Sequence, residues 1–286
     1  MCTPLGLGVY LDGMTGPDLS ASTALFHCPR CSRPFVPESA CPGCGWRPLL
    51  DGTVLDFLGT DPRTAEAAEV EAFYEKKPFP GYAPGDDAST LLDRSRRSPF
   101  LDALDKSLAP NATLVDCGCG TGQLAAFLAL AAPRRTVVGL DGCRASLAAA
   151  ARFRERVKIP NLRHVRADLF ALPLAPDAFD VVICRGVVHH TPDPWRATAE
   201  VARRVKPGGF LVLGFYETMA RALHCARRGL RKVSRGSARV LDPVLRRKDL
   251  DPEKKEVWIA DQYEHPLEKI LAFPEVLARV EELGFE

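Results

Sequence analysis

No run of about eighteen consecutive apolar residues occurs in this chain of 286 residues, so an ordinary membrane-spanning helix is not expected. Its opening, MCTPLGLGVYLDG, lacks a basic segment ahead of an apolar core, and no secretory signal is read there. Charge of one sign is missing too: 38 Lys and Arg face 36 Asp and Glu, a net of +2. No internal repeat is visible, which argues against a repeat array. Nor do the ten cysteines make a secreted disulfide scaffold, because four fall in two CxxC pairs and six are scattered through apolar segments. That usage suits a reducing, cytoplasmic compartment, with no structural disulfide expected.

What is present is enough apolar sequence, 46% of the residues, to bury a sizeable core in one large domain with a small one beside it. Residues 1–24 read as a disordered lead-in, 25–57 as a compact cysteine-bearing unit, 58–110 as a linker and N-terminal helical cap, and 111–286 as the large domain. A boundary is expected near residues 55–65, and a helix around RTAEAAEVEAFYEKKPF. From Ala112 onward, short Val/Ile/Leu-rich runs alternate with helical stretches, the pattern of βαβ units around a mostly parallel sheet. Five strands are expected, at TLVDCG, TVVGLD, LRHVRAD, FDVVICRG and GFLVLGFYE. Asp193 is placed as the N-cap of a helix that starts at Pro194 and that KPGG, Lys206 to Gly209, stops.

Cys28, Cys31, Cys41 and Cys44 are spaced C-x2-C-x9-C-x2-C. Four thiolates on two tight turns can surround one tetrahedral Zn2+, with iron at the same ligands as the rival. A closed four-cysteine set leaves no position for substrate, and so short a unit depends on its metal to fold, which makes the metal structural.

In TLVDCGCGTG a strand ends in a glycine turn that opens a helix. Open α/β sheets bind nucleotides there, against helix N-terminal N–H groups. The glycines Gly118, Gly120 and Gly122 are spaced GxGxG. A dinucleotide fingerprint would need glycine where Gln123 stands, and Asp116 just before the loop suits a cationic ligand better than a pyrophosphate. Asp141, nineteen residues beyond Gly122, ends the next strand where a carboxylate can accept from a ribose diol. Asp168 ends the third, where a carboxylate can meet an adenine amino group.

With VVGLDGC, RADLFALPLAPDAFDVVICRGVVHH and EVARRVKPGGFLVLGFYE following in order, residues of roughly 110 to 217 resemble the class I S-adenosylmethionine-dependent methyltransferases, type 11/12-like. The resemblance implies a Rossmann-like sheet flanked by helices, and S-adenosylmethionine as cofactor. It implies Asp116 and Gly118–Gly122 at the methionine portion, Asp141 at the ribose, Asp168 and Leu169 at the adenine, and Cys184 and Arg185 beneath the sulfonium. Cys117 and Cys119 are then small packing residues. The four-cysteine unit resembles zinc ribbons fused before methyltransferase domains. FPEVLARVEELGFE reads as the helix that precedes the family's last two strands, so the closing β-hairpin is expected to be absent from this chain and the sheet short of its full strand number.

Three further segments bear on substrate. FYEKKPFPGY resembles a stretch before the catalytic domain of several small-molecule methyltransferases, and its rings, Tyr74 among them, either fold over the cofactor or pack the linker. His189 and His190, beyond the fourth strand, either act as a base or shape the loop. The basic insertion 221–258 carries twelve basic and four acidic residues between Arg221 and Lys255, either a solvated face or a surface for phosphate, nucleic acid or lipid, and no aromatic interleaving marks an RNA platform. ADQYEHP follows it. Tyr74, Tyr82, His189 and Tyr263 are expected in one pocket beside Gly118 and Asp141, with His189, His190 and Tyr263 as catalytic candidates. The expected activity is methyl transfer to an O or N nucleophile of a small molecule. RNA methylation and a non-catalytic scaffold that binds a partner are the alternatives.

Overall fold

The computed structural model describes residues 25–59, 65–76, 78–233, 242–248 and 252–286. The lead-in 1–24, and residues 234–241 and 249–251 of the basic insertion, lie outside the described residues.

Seven strands form one sheet: β1 (Leu49–Asp51), β2 (Val54–Asp56), β3 (Thr113–Cys117), β4 (Thr136–Asp141), β5 (Leu162–Arg166), β6 (Phe179–Arg185) and β7 (Val205–Gly214), in the order β1-β2-β5-β4-β3-β6-β7. Only β1 and β2 pair antiparallel. The helices are α1 (Ala65–Lys76), α2 (Ala88–Arg96), α3 (Pro99–Ser107), α4 (Gln123–Ala131), α5 (Arg144–Val157), α6 (Pro194–Ala202), α7 (Thr218–Val233), α8 (Pro252–Ile259) and α9 (Phe273–Glu282).

Strand alternation sorts the core into two layers. Leu114, Val137 and Val181 pack with Phe127 of α4 and Leu91 of α2 on one side. Val115, Val138 and Val182 pack with Ala197 and Val201 of α6 on the other. Both sheet faces are covered, which is why these strands read as nearly continuous apolar runs.

The strand number corrects the expected five. The two extra strands come from LLDGTVLD, where Gly52, at φ +60°, allows a two-residue turn and Asp51 pairs with Val54. Val54–Asp56 then runs parallel to His164–Arg166, so the segment read as a domain boundary is a sheet edge. On the outer side of β7 no strand is added among the described residues. Asp193 caps α6 as expected, its side chain accepting from the Arg196 N–H at 3.0 Å. KPGG does not follow the helix as a separate stop: it lies inside β7, where the register jumps from Phe179–Val205 to Val181–Phe210 and the bulge absorbs the glycines.

The cysteine-bearing segment is built into the second core layer. Phe26 bridges to Leu174, and Phe26, Phe35, Cys28 and Cys41 share a core with Val115 and Val182. Phe57, directly after β2, contacts the rings of Phe26, Phe35 and Trp46.

Candidate functional site

At the carboxyl ends of β3, β4, β5 and β6 lies a cavity of about 960 Å³. It opens where chain sterics demand glycine. Gly118 has φ +77°, and a methyl group there would lie 2.2 Å from the Val187 side chain. Gly120 has φ +54°, and its methyl would lie 2.4 Å from the Phe79 carbonyl oxygen. The loop is tied down: the Gly118 and Cys119 N–H groups donate to Leu140 O, and the Gly120 N–H donates to Asp141 Oδ2 at 2.8 Å. The other Asp141 oxygen accepts from the Cys143 N–H. Cys117 and Cys119 are buried thiols pushed well above their ordinary range by burial, which leaves them as packing groups.

Asp116 reaches the same wall. Burial pushes its carboxyl up to about 7; the nearby Arg185 guanidinium opposes the shift and the Asp141 charge adds to it. Asp168 and Leu169 also line the cavity, Asp168 accepting from the Phe170 N–H at 2.8 Å. Arg185 lies on the wall with its guanidinium 4.4 Å from the Phe100 ring. Gly122 and Cys184 are absent from the wall: Gly122 faces Ala150 and His164, and the fully buried Cys184 packs in the core.

The N-terminal segment is a strap over the glycine loop. Gln123 Nε2 donates to Pro80 O and Gly81 O, at 2.8 and 3.0 Å, and the Thr121 hydroxyl donates to Pro80 O. Tyr74, Phe79 and Pro80 thereby enter the wall. Tyr82 does not, because its ring is stacked on Phe153 at 4.1 Å and packs, half-buried, against the first core layer.

His189 and His190 both line the cavity. His189 stacks on Tyr216 at 3.8 Å, and His190 stacks on His265 at 3.7 Å. Both ring nitrogens of His189 lack a partner among the described residues. Burial, with the charges of His190, Arg221 and His265, lowers its pKa to about 2, so the ring is neutral. Tyr263, expected in this pocket, is elsewhere: its hydroxyl donates to Asp242 Oδ2 at 2.8 Å, and its ring lies against His224. The groups that occupy the roof instead are Tyr216, Trp258 and Gln262. Tyr216 lies at the end of the fifth expected strand, GFLVLGFYE, and was legible as a strand-end residue; Gln262 had no sequence signal.

The four cysteine sulfurs lie within 4.8 Å of one another, with Cys28–Cys44 at 3.6 Å and Cys31–Cys41 at 3.5 Å. Tetrahedral Zn–S bonds of about 2.3 Å require sulfurs about 3.8 Å apart, so the set fits a zinc ion.

Residues 115–213 match the family described as methyltransferase domain. An uncharacterized protein of Synechococcus sp. is 30% identical over 183 residues, covering 61% of this chain and 44% of that protein. A malonyl-[acyl-carrier protein] O-methyltransferase of Methylovorus sp. is 34% identical over 154 residues, 52% of each chain. The chain thus spans about half, or less, of the length of these relatives. PKMT2 from Rickettsia typhi, in complex with AdoHcy, has a similar fold, with a TM-score of 0.50 and 15% identity over 65% of this chain and 42% of that one. The chain has the class I S-adenosylmethionine-dependent methyltransferase fold, preceded by a four-cysteine cluster that resembles a zinc-binding module.

Proposed function

We propose that this protein transfers the methyl group of S-adenosylmethionine to an oxygen or nitrogen nucleophile of a small-molecule acceptor. The observation that carries this is one bounded cavity in which a buried acid, a glycine loop and a neutral, unpartnered imidazole meet. The residues fit the cofactor: Asp116 is a buried carboxyl with no basic partner strong enough to keep it in the usual range, a defect that a cationic ligand repairs. Gly118 and Gly120 admit the ligand against the backbone, Asp141 stands at the strand end suited to a ribose diol, and Asp168 with Leu169 flanks the position suited to adenine. When bound, S-adenosylmethionine supplies an electrophilic methyl group on a sulfonium.

The chain's own contribution is positioning. Tyr74, Phe79 and Pro80 flank one side of the cavity, and Tyr216, Trp258 and Gln262 another. His189, stacked on Tyr216 at the cavity wall, is a neutral, buried hydrogen-bond acceptor that would orient an acceptor O–H or N–H brought against it. Its lowered proton affinity suits orientation rather than standing proton storage. The walls on these two flanks support a small acceptor, and the name of the Methylovorus relative supports oxygen as the acceptor atom.

Incubating the protein with methyl-labelled cofactor and separate metabolite, RNA and protein fractions tests the reading. Label is expected in the metabolite fraction. Label in RNA alone, or cofactor binding without turnover on any fraction, overturns it.

A further inference from the structure

Helix α7, TMARALHCARRGLRKV, faces the wrong way for a globular protein. Its 3.6-residue repeat puts Met219, Leu223 and Leu230 along one side and Arg221, His224 and Arg228 along the opposite side. The polar side is the one turned inward. Arg221 and His224 are each 8% exposed, whereas Met219 is 80%, Leu223 71% and Leu230 52% exposed.

The orientation is fixed from beneath. Arg221 donates to Gln262 Oε1 at 2.6 Å and to Glu268 Oε2 at 3.0 Å, and Arg228 pairs with the same Glu268. A ring nitrogen of His224 lies 2.8 Å from Gln262 O. Turning the helix to bury its leucines would leave Glu268, itself 4% exposed, without its cations. The apolar stripe is therefore held outward; at the helix start Glu217 bridges to Leu271, whose neighbours Ile270 and Phe273 are also exposed.

Charge identifies what covers this face. Residues 218–233 carry five basic residues, of which Arg221 and Arg228 are held by Glu268, with no acidic residue and no Phe, Tyr or Trp. A second copy of the same helix would set like charges against each other, and a nucleic acid would find no ring on which to stack. An anionic bilayer complements both features, since aliphatic side chains enter the acyl boundary while arginines and lysines meet the headgroup phosphates. No described helix is long and apolar enough to cross a membrane, so α7 would lie along the surface. We propose that α7 docks the protein on an anionic lipid surface, with Met219, Leu223 and Leu230 inserted and its basic residues other than Arg221 and Arg228 at the headgroups.

Cosedimentation of the full chain with phosphatidylcholine vesicles, alone or with about one third phosphatidylglycerol, tests this. Binding to the anionic vesicles is expected to be at least about tenfold tighter and to weaken with salt. A Met219→Glu, Leu223→Glu double variant should lose about tenfold or more of that binding while S-adenosylhomocysteine affinity and thermal unfolding stay unchanged, because both positions are exposed and off the cavity wall. Absence of binding to anionic vesicles, equal binding by the double variant, or a concentration-dependent dimer that the variant dissolves would each overturn the proposal, the last by giving the face to a second copy.

Discussion

Asp116 carries the sharpest residue-scale consequence. The unfolded chain would lose this proton near the ordinary 3.8, the folded chain only near about 7. The unfolded state therefore binds fewer protons between those values, and the stability due to Asp116 falls as pH rises through that window, then levels off. A cationic ligand reverses the sense, because it prefers the ionised carboxylate. Affinity for S-adenosylmethionine should rise with pH up to about 7 and be flat above it, and Asp116→Asn should weaken and flatten the profile; calorimetry across that range checks both. Asp141→Ala removes the group that pins the Gly120 and Cys143 N–H groups and faces the cavity, and should weaken cofactor binding by about 2 kcal/mol. Unchanged affinity would mean that the ribose is not held there. The place of both acids on the cavity wall was legible in the sequence because it follows from chain-local geometry, a strand end next to a glycine turn. Tyr263 was misplaced for the converse reason: its hydroxyl partner, Asp242, lies twenty-one residues away in a segment without periodicity.

At the scale of elements, the glycine loop and the strap form one unit. A Gly120→Ala side chain would require the Phe79 carbonyl to move and would strain a φ of +54°. This variant should lose at least about tenfold in cofactor affinity and make residues 78–81 exchange amide hydrogens faster, with the far-ultraviolet spectrum unchanged. An unaltered exchange pattern would show that the strap is held independently of the loop. The strands from Thr113 to Arg185 could be read because both faces of a parallel sheet are buried and apolar runs mark them. The β1–β2 hairpin was hidden because it is short and at an edge: Leu49 and Leu50 are 58% and 70% exposed, so the apolar pattern that signals a strand is not tied to burial there. Its one signal was Gly52 at the first position of the two-residue turn Gly52-Thr53. The bulge in β7 was hidden because KPGG also suits a turn, and only pairing with β6 decides between them.

For the whole molecule, the question is whether the four-cysteine segment folds apart from the sheet. Reading residues 25–57 as a separate unit implies that losing the metal would unfold it and leave the large domain intact. The packing argues otherwise. Phe26 and Phe35 are each no more than 2% exposed in a core shared with Val115, Val182 and Val201, and β2 continues from the same segment into the sheet beside β5. Asp56 extends the coupling, accepting from Arg166 on β5 and from Arg144 on α5, while Arg166 also pairs with Glu71 of α1. Contacts this continuous make local unfolding expensive relative to global unfolding. If one zinc ion is held by Cys28, Cys31, Cys41 and Cys44, its removal by a chelator, or the Cys28→Ser substitution, should lower the melting midpoint of the entire domain by on the order of 10 °C in a single transition. Calorimetry with metal analysis on the same samples checks it. Two separated transitions, the lower one metal-dependent and the upper one unmoved, would show an independent ribbon, and a protein purified under reducing conditions without bound metal would remove the zinc assignment itself.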